Sequence, residues 1–236
     1  MPNPYFRFKQ FVVYQDRCAM KVGTDGVLLG AWADVSSAHS ILDIGTGTGL
    51  IALMVAQRSE AKVTAIEIDV EASLQAQENV DRSPWNNRIE VKNQSLQEFA
   101  QSARKYDHII SNPPYFNQSL KSPKEGRTMA RHTDSLSYEE LLKGVVSLLD
   151  ERGVFSVILP FPEKESFLTL SEQNGLYPIR IMEVLPTPDS VPKRFMAEFS
   201  FSPTSCVVST MVIESEGRHQ YSADYKQLTE EFYMFM

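Results

Sequence analysis

The sequence predicts an α/β fold with a doubly wound, mostly parallel sheet, and three observations carry that expectation. Short apolar runs alternate with longer amphipathic stretches from Ser40 to Leu159. The first apolar run ends in a glycine-rich turn, as strand-to-helix connections of parallel sheets often do. The 236 residues, 42% hydrophobic and 22% charged, supply one sizeable core and exclude a disordered, collagen-like or coiled-coil chain.

In chain order, strands are expected at Ile41 to Ile44, Val63 to Glu67, Ile89 to Val91, Tyr106 to Ser111 and Gly153 to Leu159. Helices are expected at Leu50 to Arg58, Val70 to Arg82, Leu96 to Ala103 and Tyr138 to Asp150. Ser137 followed by Glu140 is a capping-box signature for the last of these. Beyond Leu159 a helix over Glu163 to Asn174, stopped at Gly175, precedes β-like runs at Tyr177 to Leu185, Arg194 to Phe201 and Val207 to Glu214. Prolines 186, 188 and 192 punctuate the first gap, and Ser202, Pro203 and Thr204 the second. Ala223 to Tyr233 reads as a short closing helix. No internal repeat or low-complexity tract interrupts this pattern.

No window approaches the apolar run of about 20 residues that a membrane helix needs. The first twenty residues carry charges at Arg7, Lys9, Asp16 and Arg17, so the expectation is a cytoplasmic chain without a signal peptide or membrane contact. Cys18 and Cys206 are the only cysteines, which excludes a disulfide framework and a cysteine zinc site. His39, His108, His132 and His219 show no ligand spacing, so no metal is expected.

The chemistry begins at Asp43-Ile44-Gly45-Thr46-Gly47-Thr48-Gly49-Leu50. Gly45, Gly47 and Gly49 let the chain turn sharply and let a ligand lie on bare backbone. A dinucleotide fingerprint counted from Gly45 would need glycine where Leu50 stands, and no Gly-Lys-Ser or Gly-Lys-Thr completes a P-loop. Asp43 would repel a pyrophosphate but suits an ammonium group. The next strand ends on Glu67, 22 positions after Gly45, where a carboxylate can accept both hydroxyls of a ribose. A ribose, a cation and no phosphate together describe S-adenosylmethionine.

The fourth strand delivers Asn112-Pro113-Pro114-Tyr115 to the same sheet edge. A conjugated NH₂ must pyramidalise to accept a methyl group, and two acceptors aimed at its hydrogens favour that geometry. The Asn112 side-chain oxygen and the Pro113 carbonyl are the candidate acceptors, with Tyr115 as a stacking face.

These motifs resemble those of class I S-adenosylmethionine-dependent methyltransferases between about Lys21 and Leu159. With Met20 to Trp32, Phe11 to Asp16 and Tyr221 to Tyr233 added, nearly the whole chain resembles the bacterial tRNA1(Val) (adenine(37)-N6)-methyltransferase family. The resemblance implies a Rossmann-like seven-stranded sheet of order 3-2-1-4-5-7-6 with an antiparallel edge hairpin. It also implies one methyltransferase domain over 1–236: a cofactor-covering segment (1–39), a cofactor-binding and catalytic core (40–160), and C-terminal strands with a closing helix (161–236). Gly23 and Thr24, with Asp25, would close over the methionine end of the cofactor. Many relatives carry an aspartate after the third strand for the cofactor's adenine; here stand Asn93, Gln94 and Ser95, among which the sequence does not choose.

The formal charge of −7 argues against indiscriminate nucleic-acid binding. Its distribution is uneven. Residues 1–23 carry a local +3, as do residues 117–133, where Lys121, Lys124, Arg127 and Arg131 face only Glu125. The remaining 196 residues hold −13. These four cations, next to the catalytic tetrapeptide, are expected to contact RNA phosphates, and Pro192-Lys193-Arg194-Phe195 would extend the basic rim.

The expected reaction is methyl transfer from S-adenosylmethionine to N6 of an adenine in tRNA, leaving S-adenosylhomocysteine. No metal and no obligate protein partner are called for. Asn-Pro-Pro-Tyr suits a glutamine amide equally well, so a release-factor glutamine methyltransferase remains an alternative. An rRNA guanine-N2 or DNA adenine-N6 enzyme and a non-catalytic RNA-binding scaffold remain as well. Such glutamine enzymes usually carry a helical N-terminal domain, for which a glycine loop beginning at residue 45 leaves no room.

Overall fold

The computed structural model describes residues 3–18, 20–102, 104–114 and 136–234. A small hairpin, β1 (Tyr5–Arg7) and β2 (Val12–Tyr14), leads into helix α1 (Thr24–Trp32). The alternating region follows as β3 (Ser40–Ile44), α2 (Leu50–Arg58), β4 (Lys62–Glu67), α3 (Val70–Asp81), β5 (Ile89–Asn93), α4 (Leu96–Phe99) and β6 (Tyr106–Ser111). Beyond it come α5 (Tyr138–Leu148), β7 (Leu149–Pro160), α6 (Lys164–Gln173), β8 (Tyr177–Leu185), β9 (Arg194–Ser200), β10 (Val207–Val212) and α7 (Ala223–Thr229).

Eight strands form one sheet in the order β10-β8-β9-β7-β6-β3-β4-β5. All neighbours are parallel except where β9 pairs with β7 and β8. Strands β3 to β9 reproduce the expected seven-stranded order, and β10 adds an eighth outside the hairpin. The hairpin is therefore internal to the sheet. β10 lies parallel to β8, with Val207 beside Arg180 and Val212 beside Leu185.

Helices cover both faces, as buried parallel strands require. One face packs β1, β2, α1, α2 and α7 residues into a common core, from Phe8 and Phe11 to Tyr225 and Phe232. The other packs Leu96, Leu141, Leu142, Val145 and Phe167 against Phe155, Phe195 and Phe199. Local signals start several helices. Ser137 Oγ accepts from Glu140 N at 3.2 Å while Glu140 Oε2 accepts from Ser137 N at 2.9 Å, the reciprocal box its sequence predicts. Asp69 caps α3 by accepting from Ala72 N at 2.8 Å.

Helix α1 is not among the expected helices; only a turn is anticipated at its start. Every residue from Gly26 to Trp32 is buried, so it lacks the polar stripe by which an amphipathic helix is recognised. Its Gly30 allows close packing: a Cβ there would stand 2.8 Å from Met54 Sδ of α2. A buried polar network ties the end of α1 to the sheet. Glu198 of β9, 4% exposed, accepts from Arg180 Nε at 2.9 Å, Ser156 Oγ at 3.1 Å and the backbone of Asp34 at 3.0 Å. The Arg180 guanidinium lies 4.0 Å over the Trp32 ring. Ser156 Oγ also meets His108 Nε2 at 2.9 Å, and burial holds that imidazole down at about 4.

Candidate active site

The site lies along the carboxyl edge of β3, β4 and β6, where open α/β sheets take their ligands. Ile44 and Ser111 are register partners, and Ser111 Oγ donates to Ile44 O at 2.9 Å, so the glycine loop and the Asn112 segment leave adjacent strands at one level. Gly45 N and Thr46 N donate to Ile66 O at 2.9 and 3.1 Å, which ties the loop to β4. Gly45 and Gly47 adopt φ of +70° and +57°, a left-handed backbone that a side chain would strain, and no atom stands within 4 Å of a Cβ built on either. Bare backbone thus faces open space. Gly49, at φ +81°, stands outside the cavity wall and starts α2.

Asp43 lies beneath this loop, fully buried. Its Oδ2 accepts from Thr46 Oγ1 at 2.6 Å and from Ala52 N at 3.2 Å, while Oδ1 finds no partner among the described residues. Burial pushes its carboxyl up to about 7, against the pull of those two donors. Glu67 is held by backbone amides: Gly47 N donates to Oε2 at 2.9 Å and Asp69 N to Oε1 at 3.0 Å. Each oxygen has accepting capacity beyond those bonds.

A cavity of about 770 Å³ opens between these strand ends. Gly45, Gly47, Glu67, Gln94, Asn112 and Pro113 are brought together on its wall. Asn112 is half-buried and Pro113 buried. Asn93 stands off the wall and braces the loop after β4 instead, donating from Nδ2 to the carbonyls of Glu67 and Ile68 at 2.9 and 3.0 Å. Ser95 joins Gln94 on the wall but also caps α4 by accepting from Glu98 N at 3.2 Å. Gly23 and Thr24 are exposed, Gly23 as the N-cap of α1, and neither lines the cavity. Tyr115, Lys121, Lys124, Arg127 and Arg131 fall outside the described residues.

Sequence reasoning missed part of this wall. Ile68, 58% exposed, follows Glu67 directly and presents an apolar face where the strand-end acid already marked the site. Arg17, Cys18 and Met20 reach the cavity from the segment after β2, and Leu136 and Glu140 from the start of α5. No local pattern announces those contributions. Burial raises the Cys18 thiol above its ordinary value.

The residues present fit S-adenosylmethionine: a carboxylate fixed by two amides, a loop with bare backbone at Gly45 and Gly47, apolar walls and a buried acid beneath. Among the described residues no group of three or more His, Cys, Asp or Glu side chains is placed to hold a metal ion. No described helix is long and apolar enough to cross a membrane. Sheet order, glycine loop, strand-end acid and Asn-Pro-Pro edge define the class as a Rossmann-like S-adenosylmethionine-dependent methyltransferase.

Residues 21–156 match the methyltransferase small domain family. A tRNA1(Val) (adenine(37)-N6)-methyltransferase of Bacteroides thetaiotaomicron is 52% identical over 238 aligned positions, and one of Phocaeicola vulgatus 54% over 236, each alignment covering 100% of both chains. Among solved structures, a predicted O-methyltransferase from Agrobacterium tumefaciens superposes with a TM-score of 0.71 at 19% identity, covering 88% of this chain and 96% of that one. A 16S rRNA N2 G1207 methyltransferase of T. thermophilus, in complex with S-adenosylmethionine and guanosine, gives 0.57 at 17% identity, covering 84% and 50%. Those two show the fold. The chain belongs to the methyltransferase small domain family and, within it, to the tRNA1(Val) (adenine(37)-N6)-methyltransferases.

Proposed function

We propose that this chain methylates N6 of an adenine in tRNA, adenosine 37 of tRNA1(Val), working in the cytoplasm as a single methyltransferase domain. The observation that carries the reading is the shared cavity: the Glu67 carboxylate and the Asn112-Pro113 edge line the same space. Full-length identity of 52–54% to relatives of that name supports tRNA adenine over glutamine, guanine or DNA.

S-adenosylmethionine, when bound, supplies an electrophilic sulfonium methyl. Glu67 binds the ribose hydroxyls, Gly45 and Gly47 keep the approach open, and Gln94 accepts from the adenine of the cofactor. Asp43 acts from below the loop, countering the cofactor's positive charge. The Asn112 side-chain oxygen and the Pro113 carbonyl accept hydrogen bonds from the target NH₂, orienting its lone pair as the nitrogen pyramidalises. No side chain serves as a nucleophile. A base in an anticodon loop must leave its stack to enter this cavity. Tyr115 is assigned the stacking face, and Lys121, Lys124, Arg127 and Arg131 the flanking phosphates.

Labelled methyl transfer to separate pools of unmodified tRNA, rRNA and release-factor protein tests this reading. The expected product is N6-methyladenosine in tRNA. Label in protein glutamine overturns the substrate, and cofactor binding with no label in any pool favours a scaffold.

A further inference from the structure

Arg194 is the first residue of β9, the antiparallel strand, so it stands where the parallel strands end. It pairs with Pro160 of β7, on the strand whose Val157 lies beside Ser111. Neighbouring backbone fixes it there: Phe161 N donates to Lys193 O at 3.0 Å, and Lys193 N to Val184 O at 2.9 Å. From this position Arg194 Nε donates to Asp25 Oδ2 at 2.8 Å, bridging 169 positions of sequence.

Asp25 sits in the first turn of α1, whose N-cap, Gly23, offers no side-chain cap. That helix start therefore has no side-chain cap from Gly23, and an acid suits it electrostatically. The next residue, Gly26, is where the helix meets the site: a Cβ built there would stand 3.0 Å from Leu50 Cδ2 and 3.9 Å from Asn112 Nδ2. Hairpin, helix start and candidate acceptor are thus neighbours, with a bare glycine where α1 approaches Asn112.

We propose that Arg194 is a positioning residue for methyl transfer, holding the first turn of α1 against the Asn112 side chain through Asp25. The proposal rests on the reading of Asn112 as an acceptor for the target amino group. It explains a cation built into the sheet at the active edge. A misplaced amide costs turnover more than binding, because the acceptor must be aligned as the nitrogen pyramidalises.

The test is steady-state kinetics with S-adenosylmethionine and an unmodified tRNA1(Val) transcript, together with Asn112→Ala. Arg194→Ala and Asp25→Ala are each expected to lower kcat about 10-fold or more while both KM values stay within about threefold. The double variant is expected to be no slower than the slower single one, and Arg194→Lys to recover part of the loss. Arg194→Met keeps the side-chain stem without the donor and replaces Arg194→Ala, with the same expected loss, should that chain not fold. Unchanged kcat, additive losses in the double variant, or a rise in KM for tRNA alone would each overturn the positioning role. Near-normal turnover by Asn112→Ala would instead remove the reading beneath it.

Discussion

The carboxyl edge of the sheet is built from two kinds of sequence. Strands β3, β4 and β6 carry side chains to it through local motifs, each strand handing its ligand-facing residues directly to the following loop. Helix α1, the segment after β2 and the start of β9 reach the same edge only because the sheet has formed. Glu67 belongs to the first kind: its position follows from the end of β4, and the amides of Gly47 and Asp69 fix it within a few residues of loop. Arg194 belongs to the second, since only the antiparallel direction of β9 turns its first residue toward the site. The difference teaches that the acid and glycines of the cavity are placed by local sequence, whereas the Arg194–Asp25 contact at the same edge is made by pairing distant in sequence.

Damage to the long-range half is expected to have the largest effect. Phe199 of β9 is fully buried, with Phe155 and Phe167 ring centroids at 5.9 and 5.8 Å. Phe199→Ala is expected to cost about 3–5 kcal/mol, read as a lower denaturant midpoint at unchanged slope. A cost under about 1 kcal/mol would mean that the hairpin packs independently of the core.

Glu67→Ala probes the local half. Losing charge-assisted bonds to a ribose is expected to weaken S-adenosylmethionine about 10–100-fold by calorimetry, with melting temperature little changed because Glu67 sits at a loop rim. A comparable loss of stability would show that its two amide bonds hold the fold as well as the ligand.

The smallest effect is a slope. The Asp43 carboxyl is raised to about 7 in the folded chain from an ordinary 3.8, so between those values the folded state holds a proton that the unfolded state has lost. Stability from this group is therefore fully present at low pH and declines as pH rises through about 4 to 7. Denaturant titrations of Asp43→Asn at several pH values are expected to lack that decline. A bound cation favours the ionised acid, so the cofactor is expected to bind more tightly as pH rises through 7, releasing protons on binding.

Much of the molecule was legible from residues alone. The period of apolar runs located β3 to β7, and Gly45-Thr46-Gly47, Glu67 and Asn112-Pro113 marked the cavity, because these features depend on neighbours in sequence. The capping boxes at Ser95 and Ser137 are equally local, although only the second was read. Tertiary structure alone decided that α1 is a helix, since a segment buried on all sides shows no amphipathic period. It also decided that β10 flanks the hairpin, that Asn93 braces a loop while Gln94 faces the cavity, and that Arg194 reaches Asp25. Short-range hydrogen bonding and hydrophobic period are written along the chain, whereas strand direction, burial and pairing across 169 positions exist only once the sheet has closed its core.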